Sequence, residues 1–173
     1  MNNGRPVNVL FVCTGNICRS PTAEGVFRAF VSRAGLADAV RVESAGTYGF
    51  HLGEPPDRRA ILAARARGYD IATLRARTFG AGHFNRFEWI VAMDEVNMRV
   101  LSGARPSGFS GYLGLLMDFV PEAQEREIPD PYYGGPEGFE RVLDLVELAS
   151  EALLLHVVRA SEGVASAGRR DNR

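Results

Sequence analysis

The stretch at 7–21 constrains this chain more than any other. Val7-Asn8-Val9-Leu10-Phe11-Val12 is a nearly continuous apolar run, rich in β-branched residues. A run that does not alternate with polar residues predicts a strand covered on both faces, as in the middle of a parallel sheet. It ends at Cys13. A short polar loop follows, Thr14-Gly15-Asn16-Ile17-Cys18, closed by Arg19-Ser20-Pro21. The pattern then turns helical over 21–33, with Ser20 as the expected cap and Pro21 in the first helical position. Val26, Phe27, Phe30 and Val31 form the apolar stripe of that helix, and Gly35 stops it.

The same alternation continues downstream. A second strand is expected at 40–45, then a glycine- and proline-rich loop at 46–56 and a helix at 57–67 capped by Asp57. A third strand follows at 87–93, a helix at 94–101, a short fourth strand at 113–116 and a loop at 124–133. The last element is a long helix at 136–159, with Phe139, Val142, Leu143, Val146, Leu153 and Val157 at helical spacing. Strands alternating with helices predict an α/β domain: four strands in a mostly parallel, twisted, doubly wound sheet flanked by helices. The 173 residues suit one domain over 7–160, with a loose arm at 1–6 and a disordered tail at 161–173. In such sheets ligands sit beyond the carboxyl ends of the strands, where Cys13 falls.

The loop after the first strand predicts its own chemistry. A helix N-terminus aims free N–H groups and a positive dipole end at whatever lies in the loop, making an anion nest. Cys13 sits at its rim. Cations and helix N-termini favour the reactive thiolate over the thiol. Five residues separate Cys13 from Arg19, which lets one loop wrap a tetrahedral dianion between them. Arg19 suits this better than a lysine would, because its planar fork binds phosphate oxygens bidentately. A phosphate-binding loop with a built-in sulfur nucleophile points to phosphomonoester transfer through a phosphocysteine, with no cofactor. The chain contains no lysine, which excludes Schiff-base chemistry and a Gly-Lys-Ser/Thr phosphate loop. A net charge of −1 implies no nucleic-acid or membrane field. Two cysteines in one loop are no disulfide scaffold; with no signal peptide or apolar span, they predict a reducing, cytoplasmic setting.

A second constellation is Ile128-Pro129-Asp130-Pro131-Tyr132-Tyr133. Prolines on both sides of Asp130 stiffen the backbone and exclude helix before them. A carboxylate on a rigid loop is either a turn former or a general acid. Departure of a phenolate near neutral pH calls for an acid.

Cys-Thr-Gly-Asn-Ile-Cys-Arg-Ser-Pro at 13–21 resembles the signature of the low-molecular-weight protein tyrosine phosphatases, and the resemblance runs over about 9–159. It implies a phosphotyrosine phosphatase with Cys13 as nucleophile, Arg19 as phosphate clamp and Asp130 as acid and then base. It makes Thr14, Gly15, Asn16, Ile17, Cys18 and Ser20 the phosphate loop. In that loop Asn16 is strained into a left-handed backbone, Ser20 donates to the thiolate and Ile17 touches the substrate ring. Ser44 would brace the loop and Asp94 would tie down Arg19, with an N-cap as the alternative reading of Asp94. Phe50, Tyr132 and Tyr133 would wall the cleft.

Two positions depart from the family pattern. Leu74 stands where many relatives have a histidine that supports Asn16 and Ser20, which leaves thiolate stabilisation to Ser20, Ser44 and the helix dipole. Phe50 replaces a tryptophan common in bacterial relatives, which should alter substrate preference more than chemistry. Cys18 reads as a small buried residue or, by the resemblance, as a partner that traps oxidised Cys13 in a reversible disulfide. A metal pair lacks further ligands, because His51, His83 and His156 are scattered, as surface or packing residues. Six arginines between 58 and 77 form either a solvated face or a surface that attracts acidic phosphopeptides. The implied partner is a phosphotyrosine-containing protein, such as a bacterial tyrosine kinase or its substrate. Alternatives on the same fold are an arginine phosphatase, which often has threonine at the position of Ile17, and an arsenate reductase, which needs cysteines downstream of Cys18. A non-catalytic phosphotyrosine-binding module is the alternative from another class.

Overall fold

β1 (Val7–Cys13) pairs on one side with β2 (Val40–Gly46) and on the other with β3 (Trp89–Ala92). β3 pairs in turn with β4 (Tyr112–Leu115), and all three pairings are parallel. The sheet order is therefore β2-β1-β3-β4. The computed structural model from which this is read describes the backbone of residues 5–167 and the side chains of 5–160.

Both faces of β1 are covered, which is why its sequence does not alternate. Val9, Phe11 and Cys13 enter one core with Val26, Phe27 and Val31 of α1 (Arg19–Arg33) and with Phe139, Val142, Leu143 and Val146 of α4 (Pro136–Ala167). Leu10 and Val12 enter a second core with Phe84, Phe87 and Leu101. Phe84 comes from a 3-10 turn at Ala81–Asn85, and Leu101 comes from an α-helix at Glu95–Ala104. On the edge strand β2, Arg41 is exposed and Glu43 half-buried, charges that blunt further strand pairing.

The boundaries differ from expectation for local reasons. α1 begins at Arg19, not Pro21, and the residue at its cap position, Cys18, makes no side-chain cap bond. Ser20 is not the cap, because its hydroxyl is committed to Cys13 and Asn16. Gly35 follows the helix with φ +71°, a left-handed turn that glycine adopts freely. α2 (Arg58–Ala66) is capped by Asp57, whose side chain accepts the Arg59 N–H at 2.8 Å. The next helix, α3 (Glu95–Ala104), starts after Asp94, which caps it in a reciprocal box with Asn97. β3 is shorter than 87–93, because Phe87 N–H is taken by His83 O in the preceding turn. α4 runs past 159 to Ala167, into the expected tail. Residues 168–173 of that tail and 1–4 of the expected arm lie outside the described residues.

Cys13 and Gly46 end their strands side by side, and Asp94 follows the end of β3. The chain turns to opposite sides of the sheet after β1, so the crevice between the ends of β1 and β3 is the switch point where such sheets bind ligands. Among the described residues no helix is long and apolar enough to cross a membrane.

Candidate active site

The loop at 13–19 turns its carbonyls outward. Thr47 N–H donates to Cys13 O at 2.9 Å, Tyr48 N–H to Thr14 O at 3.0 Å and Asp57 N–H to Ile17 O at 2.7 Å. In a trans peptide the N–H points opposite the carbonyl, so the amides that follow these carbonyls face the loop interior. Asn16 has φ +55°, the one positive value outside glycine among the described residues, and its N–H lies 3.3 Å from the Cys13 Sγ. β2 comes close enough to brace the loop because it ends in glycine: a Cβ on Gly46 would sit 2.8 Å from Thr14 O.

A buried chain of hydrogen bonds leads away from the sulfur. Cys13 Sγ is 3.0 Å from Ser20 Oγ. The Asn16 side-chain amide donates to Ser20 Oγ at 2.8 Å and to Ser44 Oγ at 2.9 Å, and Ser44 donates to Glu24 Oε2 at 2.6 Å. The polarity of this chain is set from its far end. The carboxylate makes Ser44 a donor, so Ser44 accepts from Asn16. Ser20 also accepts from Asn16, so its own proton points to the sulfur at 3.0 Å or to Ala45 O at 3.4 Å. Glu24 is almost wholly buried; burial pushes its carboxyl above the usual range, opposed by the Ser44 hydroxyl and the Arg28 guanidinium. Asn16 Oδ1 accepts the Arg77 backbone N–H at 2.8 Å. Leu74 is half-buried against the main core. In this chain the loop is thus supported by Ser44, Glu24 and the Arg77 backbone.

Arg19 is buried and aimed from three sides. Its Nη1 donates to Asp94 Oδ2 at 2.5 Å and to Ile128 O at 3.1 Å, and its Nη2 reaches Asp130 Oδ2 at 3.1 Å. Asp94 therefore caps α3 and holds Arg19 at once, so the two readings of Asp94 coexist. Asn97, its partner in the capping box, donates to Thr14 Oγ1 at 3.1 Å. One helix start thus touches both ends of the loop.

The loop floors a cleft of about 320 Å³ lined by Cys13, Gly15, Arg19, Phe50, Asp130 and Tyr132, among others. Thr14, Ile17, Cys18 and Tyr133 reach it as well. The expected site residues of the two loops therefore converge, while Ser44 and Asp94 stand behind them. Phe50 and Tyr133 are largely exposed at the rim, and Phe50 stacks on Tyr48 at 5.8 Å. Both cysteines are free, and burial pushes the Cys18 thiol well up, which leaves Cys13 as the nucleophile candidate. A larger groove of about 600 Å³ opens at the opposite end of the sheet among Phe84, Phe87, Trp89 and Phe109. It has no such loop of inward amides.

Several residues of this site escape sequence reasoning. His51 takes the packing role left open for it, but its place at the cleft was not expected. It lines the cleft, packs over Gly15 and holds Glu54 Oε2 through Nδ1 at 2.7 Å. Glu24 had one visible signal, a charge on the buried stripe of α1 between Ala23 and Phe27. Asn97 could be suspected only from its spacing to Asp94. Of the six arginines at 58–77, Arg59, Arg67 and Arg77 form ion pairs with the protein's own carboxylates.

Comparison with known proteins agrees with this geometry. The family model described as low molecular weight phosphotyrosine protein phosphatase matches residues 8–163. A low molecular weight protein-tyrosine-phosphatase of Streptomyces coelicolor is 45% identical over 163 residues, covering 91% of this chain and 98% of that protein. A crystal structure of a protein tyrosine phosphatase from Entamoeba histolytica, with Hepes in its active site, superposes with a TM-score of 0.85 at 35% identity, over 90% of this chain and 99% of that one. Wzb of Vibrio vulnificus, solved with benzylphosphonate, gives a TM-score of 0.73 at 27% identity, over 85% of this chain and 96% of that one. A match that spans the sheet, both loops and the long helix places this chain in the low molecular weight protein tyrosine phosphatase family, as an enzyme of that class.

Proposed function

We propose that the chain hydrolyses phosphotyrosine monoesters in two steps through a phosphocysteine on Cys13. The observation that carries this reading is the Cys13 Sγ at the floor of an amide-lined loop, with Arg19 closing the loop and the Asp130 carboxyl facing it. In the first step the thiolate bonds to phosphorus as the bond from phosphorus to the tyrosyl oxygen breaks. The electron pair leaves on that oxygen, which takes the proton of the Asp130 carboxyl. In the second step the Asp130 carboxylate accepts a proton from water, whose oxygen bonds to phosphorus as the S–P bond breaks. Inorganic phosphate leaves and the thiolate returns. The loop amides and the Arg19 fork hold the non-bridging oxygens throughout, where charge rearranges in the transition state. An incoming phosphoryl group takes over the Nη2 that Arg19 now offers to Asp130.

The aromatic cleft supports a phenolic leaving group. Ile17, Phe50 and Tyr132 offer apolar surface above the loop. The benzylphosphonate held by the Vibrio vulnificus neighbour has the same arrangement of an aromatic ring on a phosphoryl-like head. The partner is a phosphotyrosine-containing protein, with a bacterial tyrosine kinase or its substrate as the class in view. The test is phosphate release from a phosphotyrosine peptide, beside phosphoserine and phosphoarginine peptides, by wild type, Cys13→Ser and Asp130→Ala. Tyrosine-selective release that is lost in Cys13→Ser and slowed in Asp130→Ala is the expected result. Binding without release by the wild type would overturn the reading in favour of a phosphotyrosine-binding module.

A further inference from the structure

The segment carrying Asp130 is anchored very differently on its two sides. Upstream, Ile128 is buried in the core, its N–H bonded to Met93 O at 2.8 Å and its carbonyl to Arg19 at 3.1 Å. Downstream, residues 132–134 are exposed. There the chain meets Arg59, the second residue of α2. Arg59 Nη2 donates to Tyr132 O at 3.0 Å and Nη1 to Gly134 O at 3.4 Å. The same guanidinium binds Asp57 with both ends of its fork, Nε to Oδ1 at 3.0 Å and Nη2 to Oδ2 at 2.8 Å. Its plane lies over the rings of Phe139, at 4.6 Å, and Tyr132, at 5.7 Å. Asp57 in turn donates its backbone N–H to Ile17 O of the phosphate loop at 2.7 Å. The peptide between Pro131 and Tyr132 closes the circuit, because Tyr132 N–H is bonded to Asp130 Oδ1 at 3.2 Å.

We infer that Arg59 is a positioning residue for proton transfer: it ties the Asp130 segment to the phosphate loop through Asp57, and so sets the distance between acid and nucleophile. This rests on the reading of Asp130 as the acid. Neither Arg59 nor Asp57 lines the cleft, so neither touches the reacting atoms. Arginine is suited to the task. Its planar fork serves a carboxylate and two backbone carbonyls while its face stacks on aromatic rings, which the point charge of a lysine cannot do together. A misplacement of about 1 Å at a reacting group can cost on the order of 10²-fold in rate. Loss of the downstream anchor acts on the acid alone, because the phosphate loop keeps its bonds to Thr47, Tyr48 and Ser44.

The experiment is a series of aryl phosphates with leaving groups of rising basicity, measured with wild type, Asp130→Asn, Arg59→Ala, Arg59→Lys and the double variant Asp130→Asn with Arg59→Ala. A good leaving group needs little help from an acid, and a poor one needs much. Read in kcat/KM, which reports the first step alone, Arg59→Ala is expected to lose roughly 10-fold to 10²-fold on the most basic leaving group and about 2-fold on the least basic. Inhibition by inorganic phosphate stays unchanged, and Arg59→Lys falls between. In the Asp130→Asn background, Arg59→Ala adds no further dependence on the leaving group, because both act through one proton. A uniform loss across the series, or equal losses in both backgrounds, overturns the inference and makes Arg59 a residue of general stability. A flat response in Asp130→Asn itself overturns the acid assignment, and the role of Arg59 with it. Thermal melts of each variant identify a loss of folded protein, which lowers every substrate alike.

Discussion

Cys13 is 2% exposed, whereas the Asp130 side chain is 49% exposed, although both face one cleft. The sulfur stands on a buried network: Ser20, Asn16, Ser44 and Glu24 follow one another by hydrogen bonds, and three backbone donors hold the loop from behind. The carboxyl stands on a segment stiffened by Pro129 and Pro131 and clamped from outside by Arg59. The difference fits the roles proposed for the two groups. An oxyanion cradle works by donors that do not reorganise during the reaction, and burial holds them still. An acid that must meet a protein-borne tyrosyl oxygen, and later a water, has to sit where both can arrive. Rigidity at Cys13 comes from the core, and rigidity at Asp130 comes from local covalent stiffness and a surface clamp.

The contrast breaks most visibly at these two residues. Cys13→Ser is expected to abolish turnover, on the order of 10⁶-fold in kcat, since the rest of the machinery acts only with the nucleophile. Asp130→Asn should cost less, about 10²-fold to 10⁴-fold on phosphotyrosine. Single-turnover kinetics check both, and an equal loss in the two variants would erase the distinction. Ser44→Ala removes one link of the buried network without touching substrate. The expected result is a roughly 10-fold slower alkylation of Cys13 by iodoacetate at neutral pH, from loss of one hydrogen bond in a charge-linked chain. The same variant should leave the kcat/KM ratio between good and poor leaving groups unchanged, which separates the two regions.

Acid titration sharpens the comparison further. Burial raises the Glu24 carboxyl above its ordinary value of 4.5, while the side-chain bond from Arg59 lowers Asp57 below its ordinary 3.8. The folded chain therefore holds the Glu24 proton more tightly than the unfolded chain does, and stability falls as pH rises from 4.5 through the folded value. Asp57 acts in the opposite sense: its contribution is complete above 3.8 and is lost as pH falls through the lower folded value. Urea midpoints across the acidic range should show both slopes. Glu24→Gln removes the first, and Arg59→Ala weakens the second, leaving the part due to the backbone N–H groups of residues 59 and 60. Finally, Leu74→His introduces the histidine that the family resemblance implies at this position, where the chain now has a half-buried apolar side chain. A thiolate alkylation rate a few-fold faster at neutral pH is expected if the added group joins the Asn16 and Ser44 network, by one further hydrogen bond. An unchanged rate would show that Glu24 already completes it.

The unit at 7–21 was legible because its parts are local. An unbroken apolar run, a loop and a helix start lie next to one another; elsewhere in the chain the Asp57 cap and the stop at Gly35 likewise depend on neighbours within a turn, whereas left-handed Asn16 was legible only through the family resemblance. Asp94 was legible for the same reason as a cap, and its second bond, to Arg19, only through resemblance to a family. Helix ends were less legible where a side chain had a tertiary partner. Ser20 reads as a cap from spacing alone, yet the sulfur and Asn16 claim its hydroxyl. The sequence by itself determined the order of elements and the parallel sheet and singled out Cys13 and Arg19, since periodicity and short spacing carry that information; Asp130, open between turn former and acid on its own residues, was singled out by the family resemblance, and the structure brings all three to one cleft. Only the tertiary structure decided that Glu24 ends the buried network, that Asn97 holds Thr14 across 83 positions and that Arg59 reaches Tyr132 across 73. Those bonds join segments far apart in the chain, and no local pattern encodes a partner that only folding brings within 3 Å or so.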